Sequence, residues 1–192
     1  MRSLNIDELI FIFNKLEQNI NTYFVESGTY KGLTIFPISK YFNKLYTIEI
    51  NKNAYEFCKN ETKKKNITNI EFILGDSAIE MNKIVKNFNS NDSIVFFLDG
   101  HVTNNNSGFT GKGSIDVPIM EELDAIYNNF KGNGIIIIDD TRLFNKDKSK
   151  LTADANWSNI NLENILLHFK KDRIIKYMFI NGGGVQKEKN DR

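Results

Sequence analysis

Five short apolar runs that favour β-strands alternate along this chain with segments of helical periodicity. The runs occupy residues 23–25, 45–50, 70–74, 93–98 and 134–138. The helical segments between them span residues 31–42, with Pro37 as a kink, then 54–64, 77–88 and 117–130, and Ser77 is placed to cap the third. Strands and helices in alternation indicate a parallel sheet with right-handed crossovers and helices on both of its faces.

Both ends of the chain depart from this alternation. Residues 4–20 have the periodicity of an amphipathic helix, and residues 162–169 favour another. The segments 173–180 and 185–189 flank three glycines at 182–184, which is a signal for an antiparallel hairpin. The sequence therefore predicts one α/β domain over residues 1–192, a Rossmann-like, doubly wound, mostly parallel seven-stranded sheet that ends in an antiparallel hairpin. Residues 1–21 would form an N-terminal helix, 22–144 the binding core, and 145–192 a substrate-side segment with the hairpin.

The net charge and the cysteine content limit which partners and which cellular compartment the sequence predicts. The 192 residues include 25 Lys and Arg against 24 Asp and Glu, a net charge of +1, which gives no electrostatic reason to expect nucleic acid or an anionic membrane. The single cysteine, Cys58, excludes a disulfide within the chain and is expected to pack in the core. No apolar run is long enough for a membrane span. We therefore expect a cytoplasmic domain with no nucleic-acid or membrane partner, and a homo-oligomer is left open.

An acidic residue follows every predicted strand. In an open α/β sheet, ligands bind beyond the carboxyl ends of the strands, where these residues would meet. A single acid in such a place is better explained as a cap or a solvated turn. Five strand ends in succession, however, predict a binding edge. In chain order they present Glu26, Glu49, Asp76, Asp99 and the pair Asp139 and Asp140.

The loop after the first strand reads Glu26-x-Gly28-x-x-x-Gly32. Glycine lets the strand turn into the next helix with a positive φ, and it lets a ligand approach the backbone closely. The spacing is neither the Gly-x-Gly-x-x-Gly of dinucleotide sites nor that of a phosphate-binding P-loop. Glu49 is placed to accept both hydroxyls of a ribose, and Asp76 to accept an exocyclic amine of a base.

Together with Gly75-Asp76-Ser77 and Leu98-Asp99-Gly100-His101, these residues resemble the class I S-adenosylmethionine-dependent methyltransferases. The segments 99–101, 116–123 and 138–142 are most similar to the macrocin O-methyltransferase and cephalosporin-hydroxylase-like group. The resemblance implies S-adenosylmethionine as cofactor, with its methionine part in the first loop and its adenine near the third strand. The cofactor-binding residues that it implies are Glu26, Gly28, Thr29, Tyr30, Gly32, Glu49, Asp76, Ser77 and Asp99.

The same group commonly holds a divalent metal between the fourth and fifth strands. The resemblance implies Asp99, Asp139 and Asp140 as its ligands, and ligands that offer only oxygen favour Mg²⁺. A cation there would lower the pKa of an acceptor hydroxyl, and His101 would take its proton, so Asp99 and His101 are the predicted catalytic residues. Two alternatives stay open: Asp140 as a cap, and His101 as a hydrogen-bonding or substrate-binding residue of a turn.

Three further side chains have roles that the sequence leaves open. Arg142 either neutralises the neighbouring aspartates or meets an anionic substrate. Trp157 is either a core anchor or a ring that stacks on substrate. His168 is expected to be a partly buried histidine on the apolar face of a helix.

The sequence thus predicts metal-assisted O-methylation of a small molecule such as a sugar or another secondary metabolite. One alternative is a methyltransferase-like domain that binds a ligand without catalysis. The other is a metal-dependent hydroxylase-like enzyme, with iron held by Asp99, His101 and His168. The acceptor pocket is expected from two long polar segments, residues 104–114 and 146–158.

Overall fold

A five-stranded parallel sheet forms the centre of the computed structural model, which describes residues 3–16, 23–103, 107–146, 155–169, 176–181 and 192. The strands are β1 (Tyr23–Ser27), β2 (Lys44–Glu49), β3 (Ile70–Leu74), β4 (Ser93–Leu98) and β5 (Asn133–Ile138). The α-helices are α1 (Ile6–Leu16), α2 (Ile35–Ile38), α3 (Lys52–Lys64), α4 (Ser77–Val85), α5 (Ile119–Asn129) and α6 (Leu162–Phe169). Short 3₁₀ turns span Ser39–Tyr41 and Thr141–Leu143.

The strand order is β3-β2-β1-β4-β5, so the direction of winding reverses between β1 and β4. Every neighbouring pair is parallel, and Ser27 at the end of β1 lies opposite Ile48 of β2 and Leu98 of β4. Parallel strands in close register end at the same edge of the sheet. A ligand crevice is therefore expected beyond Ser27, at the point where the order reverses.

Alternate residues of the central strands enter two separate cores. Val25, Phe96 and Leu98 pack under α4, α5 and α6 on one face of the sheet. Phe24, Val95 and Phe97 pack under α1 and α2 on the other face. Because both faces are covered, the strands are apolar almost throughout, as the sequence pattern of 93–98 predicts. Cys58 is buried in α3, as expected, and no helix in the described ranges is long and apolar enough to cross a membrane.

The five central strands are confirmed, but the helix predicted over 31–42 is much shorter. Its first residues form a loop, because Tyr30 and Gly32 have φ angles of 49° and 72°, outside the right-handed helical region. Only the four residues of α2, which include Pro37, are α-helical, and a 3₁₀ turn follows them. The capping prediction for α4 is also corrected by one position. Asp76 is the N-cap, and its side chain accepts the N–H of Ala78.

The predicted terminal hairpin falls largely on residues outside the described ranges, namely 173–175 and 182–189. Residues 176–181 are described and contain no assigned strand. Ile180 and Arg192 nevertheless exchange both backbone hydrogen bonds, at 2.9 and 3.2 Å. This reciprocal pattern is that of a hydrogen-bonded pair in antiparallel strands. Within the described ranges the sheet has five strands, against the seven predicted.

Phe24 offers a test of the core under α1 and α2. It is fully buried, and its ring lies 5.2 Å from that of Phe42 and 6.5 Å from that of Phe97. We expect Phe24→Ala to lower the free energy of unfolding by about 3–5 kcal/mol, measured by urea denaturation. Phe11→Ala on α1 is the control, since its side chain is 47% exposed and its loss should cost less than about 1 kcal/mol. Equal losses would contradict the packing described here.

Candidate active site

A cavity of about 530 Å³ lies beyond the carboxyl ends of the strands, and we call it the strand-end cavity. Its wall includes residues from all five strand ends and from the loop between β4 and α5. Of the residues predicted from the sequence, those in its wall are Gly28, Tyr30, Glu49, Asp76, Ser77, Asp99, His101, Asp139 and Asp140. Glu26, Thr29 and Gly32 are not among the lining residues.

The loop after β1 depends on glycine at position 28. Gly28 has φ of 85°, and a Cβ built on it would lie 2.5 Å from the carbonyl oxygen of Asp99. A larger residue would therefore be strained twice, by its backbone angle and by contact with the end of β4. The N–H of Gly28 donates to the carbonyl of Ile48 at 2.9 Å, which also fixes the loop to β2.

Glu26 and Thr29 lie behind this loop and support it. The Glu26 carboxylate accepts a hydrogen bond from Thr47 Oγ1 at 2.7 Å, and Thr47 Oγ1 in turn lies 2.6 Å from Thr29 Oγ1. The pKa of Glu26 is raised to about 8. Burial raises this pKa more than the hydrogen bond from Thr47 lowers it, and the nearby Glu49 also raises it. Glu26 is therefore largely neutral at pH 7.

Glu49 joins the loop after β1 to the end of β2. Its two carboxylate oxygens accept the backbone N–H groups of Tyr30, at 2.7 Å, and of Asn51, at 2.8 Å. Burial raises the pKa of Glu49, more than these backbone hydrogen bonds lower it. Its oxygens still have lone pairs for further donors.

Asp76 is held by residues 107–116, which we call the covering loop. Its Oδ2 accepts the N–H of Ser114 at 2.7 Å and the Ser114 hydroxyl at 2.8 Å. Burial raises the pKa of Asp76, but the hydrogen bonds from Ser114 and Ala78 outweigh it and hold the pKa below its usual value.

Two further contacts fix the covering loop over the ends of β2 and β3. Asn51 Nδ2 donates to the carbonyl of Thr110 at 2.8 Å. The ring of Phe109 lies 6.2 Å from that of Tyr30 and 5.4 Å from that of Phe57. The sequence predicts residues 104–114 as part of an acceptor pocket, and their described part, 107–114, lines the strand-end cavity and bonds to Asp76 and Asn51.

His101 lies between two carboxylates. Its Nε2 is 3.1 Å from Asp140 Oδ2, and its Nδ1 is 3.5 Å from Asp99 Oδ1. Burial lowers the pKa of His101, and Arg142 lowers it further, against the opposite effect of Asp140. Arg142 is also paired with the other oxygen of Asp140, which decides its open role in favour of neutralising an aspartate.

Burial and like charge both act on Asp99. Burial raises its pKa well above the usual value, and Asp139, Asp140 and Glu26 raise it further, while Arg192 lowers it. Within the described residues, one group offers ligand atoms that all lie within 4.8 Å of one another: Asp99, His101 and Asp140. This group contains His101 in place of Asp139, which the sequence predicts as the third metal ligand.

Asp139 is paired instead with a distant arginine. Its Oδ1 is 3.0 Å from Nε of Arg192, whose guanidinium also contacts Glu8 of α1. The side chain of Arg192 is fully buried. Sequence reasoning missed this residue, because nothing local marks an arginine that pairs with a strand more than fifty positions away.

The open roles of two aromatic side chains are also decided. Trp157 is only 1% exposed, and its ring packs 5.1 Å from that of His101, so it is a core anchor that supports the histidine. His168 Nε2 lies 3.0 Å from Asp124 Oδ1 of α5. His168 is not part of the group formed by Asp99, His101 and Asp140, so the iron site of a hydroxylase is not assembled in this arrangement.

Solved structures share this arrangement of strands and helices. A Streptococcus mutans protein assigned as a methyltransferase, in complex with S-adenosylhomocysteine (SAH), aligns over 93% of both chains with a TM-score of 0.54 and 14% identity. Coclaurine N-methyltransferase, bound to N-methylheliamine and SAH, aligns over 92% of this chain and 51% of its own with a TM-score of 0.52 and 12% identity. A Staphylococcus aureus protein assigned as a caffeoyl-CoA O-methyltransferase aligns over 77% and 63%, with a TM-score of 0.50 and 15% identity. The chain has the fold of the class I S-adenosylmethionine-dependent methyltransferases.

Comparison of sequences finds less similarity to known proteins than comparison of structures. No family model matches the chain. A curated relative, an uncharacterised RNA methyltransferase of Fusobacterium nucleatum, is 36% identical over 90 residues, which are 47% of this chain and 19% of that protein. The chain thus spans about a fifth of the length of the curated relative that it matches. The methyltransferase fold agrees with the resemblance seen in the sequence, while the macrocin-type group within it is not confirmed.

The raised pKa of Glu26 can be tested, because it makes the stability of the protein depend on pH. Its ordinary value of 4.5 is raised to about 8, so the folded chain binds a proton that the unfolded chain releases in this range. As the pH rises from about 5 to 8, the stability of the wild type should fall relative to Glu26→Gln, by up to about 1.4 kcal/mol per pH unit. Above about pH 8 the difference should be constant.

Urea denaturation at several pH values measures this difference. Glu56→Gln, at an exposed position of α3, is the control and should differ from the wild type by a constant amount. A difference for Glu26→Gln that is also constant would show that Glu26 is ionised throughout.

Proposed function

We propose that this chain binds S-adenosylmethionine and transfers its methyl group to a hydroxyl of a small molecule such as a sugar. The observation that carries the proposal is the charge of the strand-end cavity, taken with the methyltransferase fold. Its wall contains five carboxylates against one arginine, and that arginine is already paired with Asp140. A cavity of this charge attracts a cofactor with a sulfonium and an ammonium group and disfavours one that bears phosphates. The carboxylates are those of Glu49, Asp76, Asp99, Asp139 and Asp140.

The cofactor would lie along the loop after β1 and the ends of β2 and β3. Gly28 lets the loop after β1 lie close against the end of β4, where the methionine part would bind, and Glu49 would accept the ribose hydroxyls with lone pairs that Tyr30 and Asn51 leave available. Asp76 and Ser77 would lie near the adenine. Glu26, Thr29 and Gly32 act indirectly, by shaping the loop.

His101 is the general base of the proposed reaction. Its Nε2 lies within hydrogen-bond distance of Asp140, so the neutral ring carries its hydrogen there and Nδ1 is the basic atom. The acceptor oxygen attacks the methyl carbon and gives its proton to Nδ1. The carbon–sulfur bond breaks, and its electron pair stays on sulfur, which leaves SAH as the neutral product. Asp140 stabilises the imidazolium that forms, and Asp99 holds the acceptor and the ammonium end of the cofactor.

Metal assistance by Mg²⁺ through Asp99, Asp139 and Asp140 is the part of the proposal that fits the residues least well. Asp139 is paired with Arg192, and Asp140 with both Arg142 and His101, so two of the three carboxylates already have cationic or hydrogen-bonding partners. The group that does converge contains an imidazole, which suits Fe²⁺ or Zn²⁺ better than Mg²⁺. The mechanism above therefore contains no step at a metal.

RNA is a second candidate acceptor, because the curated relative named above is an RNA methyltransferase. The experiment that separates the candidates uses methyl-labelled S-adenosylmethionine. The label should enter a panel of sugars and other small hydroxyl compounds, and not RNA. Transfer to RNA would favour the second candidate, and cofactor binding without transfer to any acceptor would favour a non-catalytic binding domain.

Cofactor binding should depend on Gly28. Gly28→Ala adds a Cβ that must displace the end of β4, so we expect the affinity for S-adenosylmethionine to fall at least tenfold in isothermal titration calorimetry. Gly108→Ala is the matched control. Gly108 also has a positive φ, of 71°, but an added Cβ meets nothing within 4 Å, so the affinity should change by less than about threefold. Equal effects would show that backbone strain alone is responsible.

Turnover should depend on His101 and not on the other histidine. We expect His101→Asn to lower kcat by about 10²–10⁴-fold, the usual contribution of a general base, with cofactor affinity little changed. His168→Asn is the control, because His168 pairs with Asp124 outside the cavity. Wild-type turnover should also survive treatment with EDTA. Its loss, followed by recovery on addition of Mg²⁺ or Mn²⁺, would show that a metal is required after all.

A further inference from the structure

Glu122 of α5 is a buried carboxyl to which neither the sequence nor the proposed mechanism gives a role. It is fully buried, and it does not line the strand-end cavity. Its pKa is raised to about 7, because burial raises the pKa more than the hydroxyls of Ser77 and Ser27 lower it, and Glu121 and Asp76 also raise it. In the described part of the chain, neither of its oxygens makes a hydrogen bond of normal geometry, so the two serine hydroxyls are near it without being optimally aligned.

The two serines connect Glu122 to the cavity wall. Ser27 is the last residue of β1, and the N–H of Asp99 donates both to its carbonyl oxygen, at 3.2 Å, and to its Oγ, at 3.3 Å. Both hydroxyls also flank Gly100, since a Cβ there would lie 3.0 Å from Ser77 Oγ and 3.1 Å from Ser27 Oγ. Asp99 and Gly100 both line the cavity. Glu122 is therefore separated from Asp99 and Gly100 of the cavity wall by the side chains of Ser27 and Ser77.

The hydrogen-bonding needs of Ser27 give Glu122 a task. If the Ser27 oxygen is to accept the N–H of Asp99, its own hydrogen must point elsewhere, and a buried hydroxyl needs an acceptor for it. Both serine hydroxyls lower the pKa of the buried Glu122 carboxyl, and we take its oxygens, which lack partners of normal geometry in the described residues, as the acceptor that the two hydroxyls need. Packing alone does not explain a carboxyl here, because an apolar side chain of similar size would fill the space without the cost of desolvating it.

We propose that Glu122 is a positioning residue, which acts through Ser27 and Ser77 to fix Asp99 and Gly100 against the strand-end cavity. This inference rests on the proposed function, because the cofactor is the ligand that those two residues would contact. When S-adenosylmethionine binds, the serines and Glu122 would hold the β4 end in place, so that the cofactor does not have to order it.

The test compares the affinity for S-adenosylmethionine of variants that keep or remove a hydrogen-bond acceptor at position 122. Glu122→Met fills the space but accepts nothing, and we expect its dissociation constant to rise at least tenfold. Glu122→Gln can still bond to both serines and should stay within threefold of the wild type. A role in folding alone would lower the melting temperature of both variants without this separation. Glu121→Gln, on the same helix, is the control and should leave the affinity unchanged.

A double-mutant cycle tests the route through Ser27. Ser27→Ala should weaken binding five- to tenfold, and adding it to Glu122→Met should weaken binding no more than twofold further, because both changes break one chain of contacts. Effects that multiply, or a loss below twofold for Ser27→Ala, would overturn the inference. If Glu122→Met does not fold, Ser27→Ala alone tests the inference, and a loss of affinity below twofold in that variant overturns it. No binding by the wild type would overturn the proposed function and this inference with it, whereas wild-type binding with an unaffected Glu122→Met overturns only the inference.

Discussion

The close approach of the loop after β1 to the end of β4 is the contact on which the whole site depends. At Gly28 a side chain would lie 2.5 Å from the Asp99 carbonyl oxygen, so the absence of a Cβ sets the distance between the two loops. The reversal of strand order places these two strands side by side, where a crevice opens. Ser27 Oγ also accepts the backbone N–H of Asp99 at the end of β4, and Glu49 fixes the loop after β1 to the end of β2 by accepting the N–H groups of Tyr30 and Asn51. The cavity is thus a product of backbone geometry before any of its charges are considered.

The acidic side chains in and behind the cavity wall are buried at a cost to stability. Burial raises the pKa of Glu26, Glu49, Asp99 and Glu122, which means that the fold disfavours the ionised form of each. Two arginines limit this cost, Arg142 at Asp140 and Arg192 at Asp139. A cationic ligand would relieve the rest, since positive charge near buried carboxyls favours their ionised forms. Cofactor binding and the protonation of the site are therefore expected to be linked.

The sequence could predict the strands and the acidic residues that follow them, but not which partner each acidic side chain contacts. Alternation of apolar runs is a local signal, and β3 and β4 begin and end where it predicts. The direction of a side chain beyond a strand depends on the local backbone, and Asp140 has a left-handed φ of 58° that no pattern indicates. Adjacent residues Asp139 and Asp140 consequently meet different partners, Arg192 and His101. The same limit applies to Tyr30, whose positive φ delays the start of α2.

The wall of the strand-end cavity differs chemically between the ends of β2 and β3 and those of β4 and β5. Over β2 and β3 the covering loop bonds to Asp76 and to Asn51, so this side is closed by backbone and amide groups. Over β4 and β5 the wall consists of His101, Asp99 and Asp140, backed by the buried ring of Trp157. A base must reach the acceptor, whereas the adenine of the cofactor needs only a fitted slot. If His101 is the base, as proposed, the acceptor would lie on the β4–β5 side, and the cofactor would lie under the covering loop.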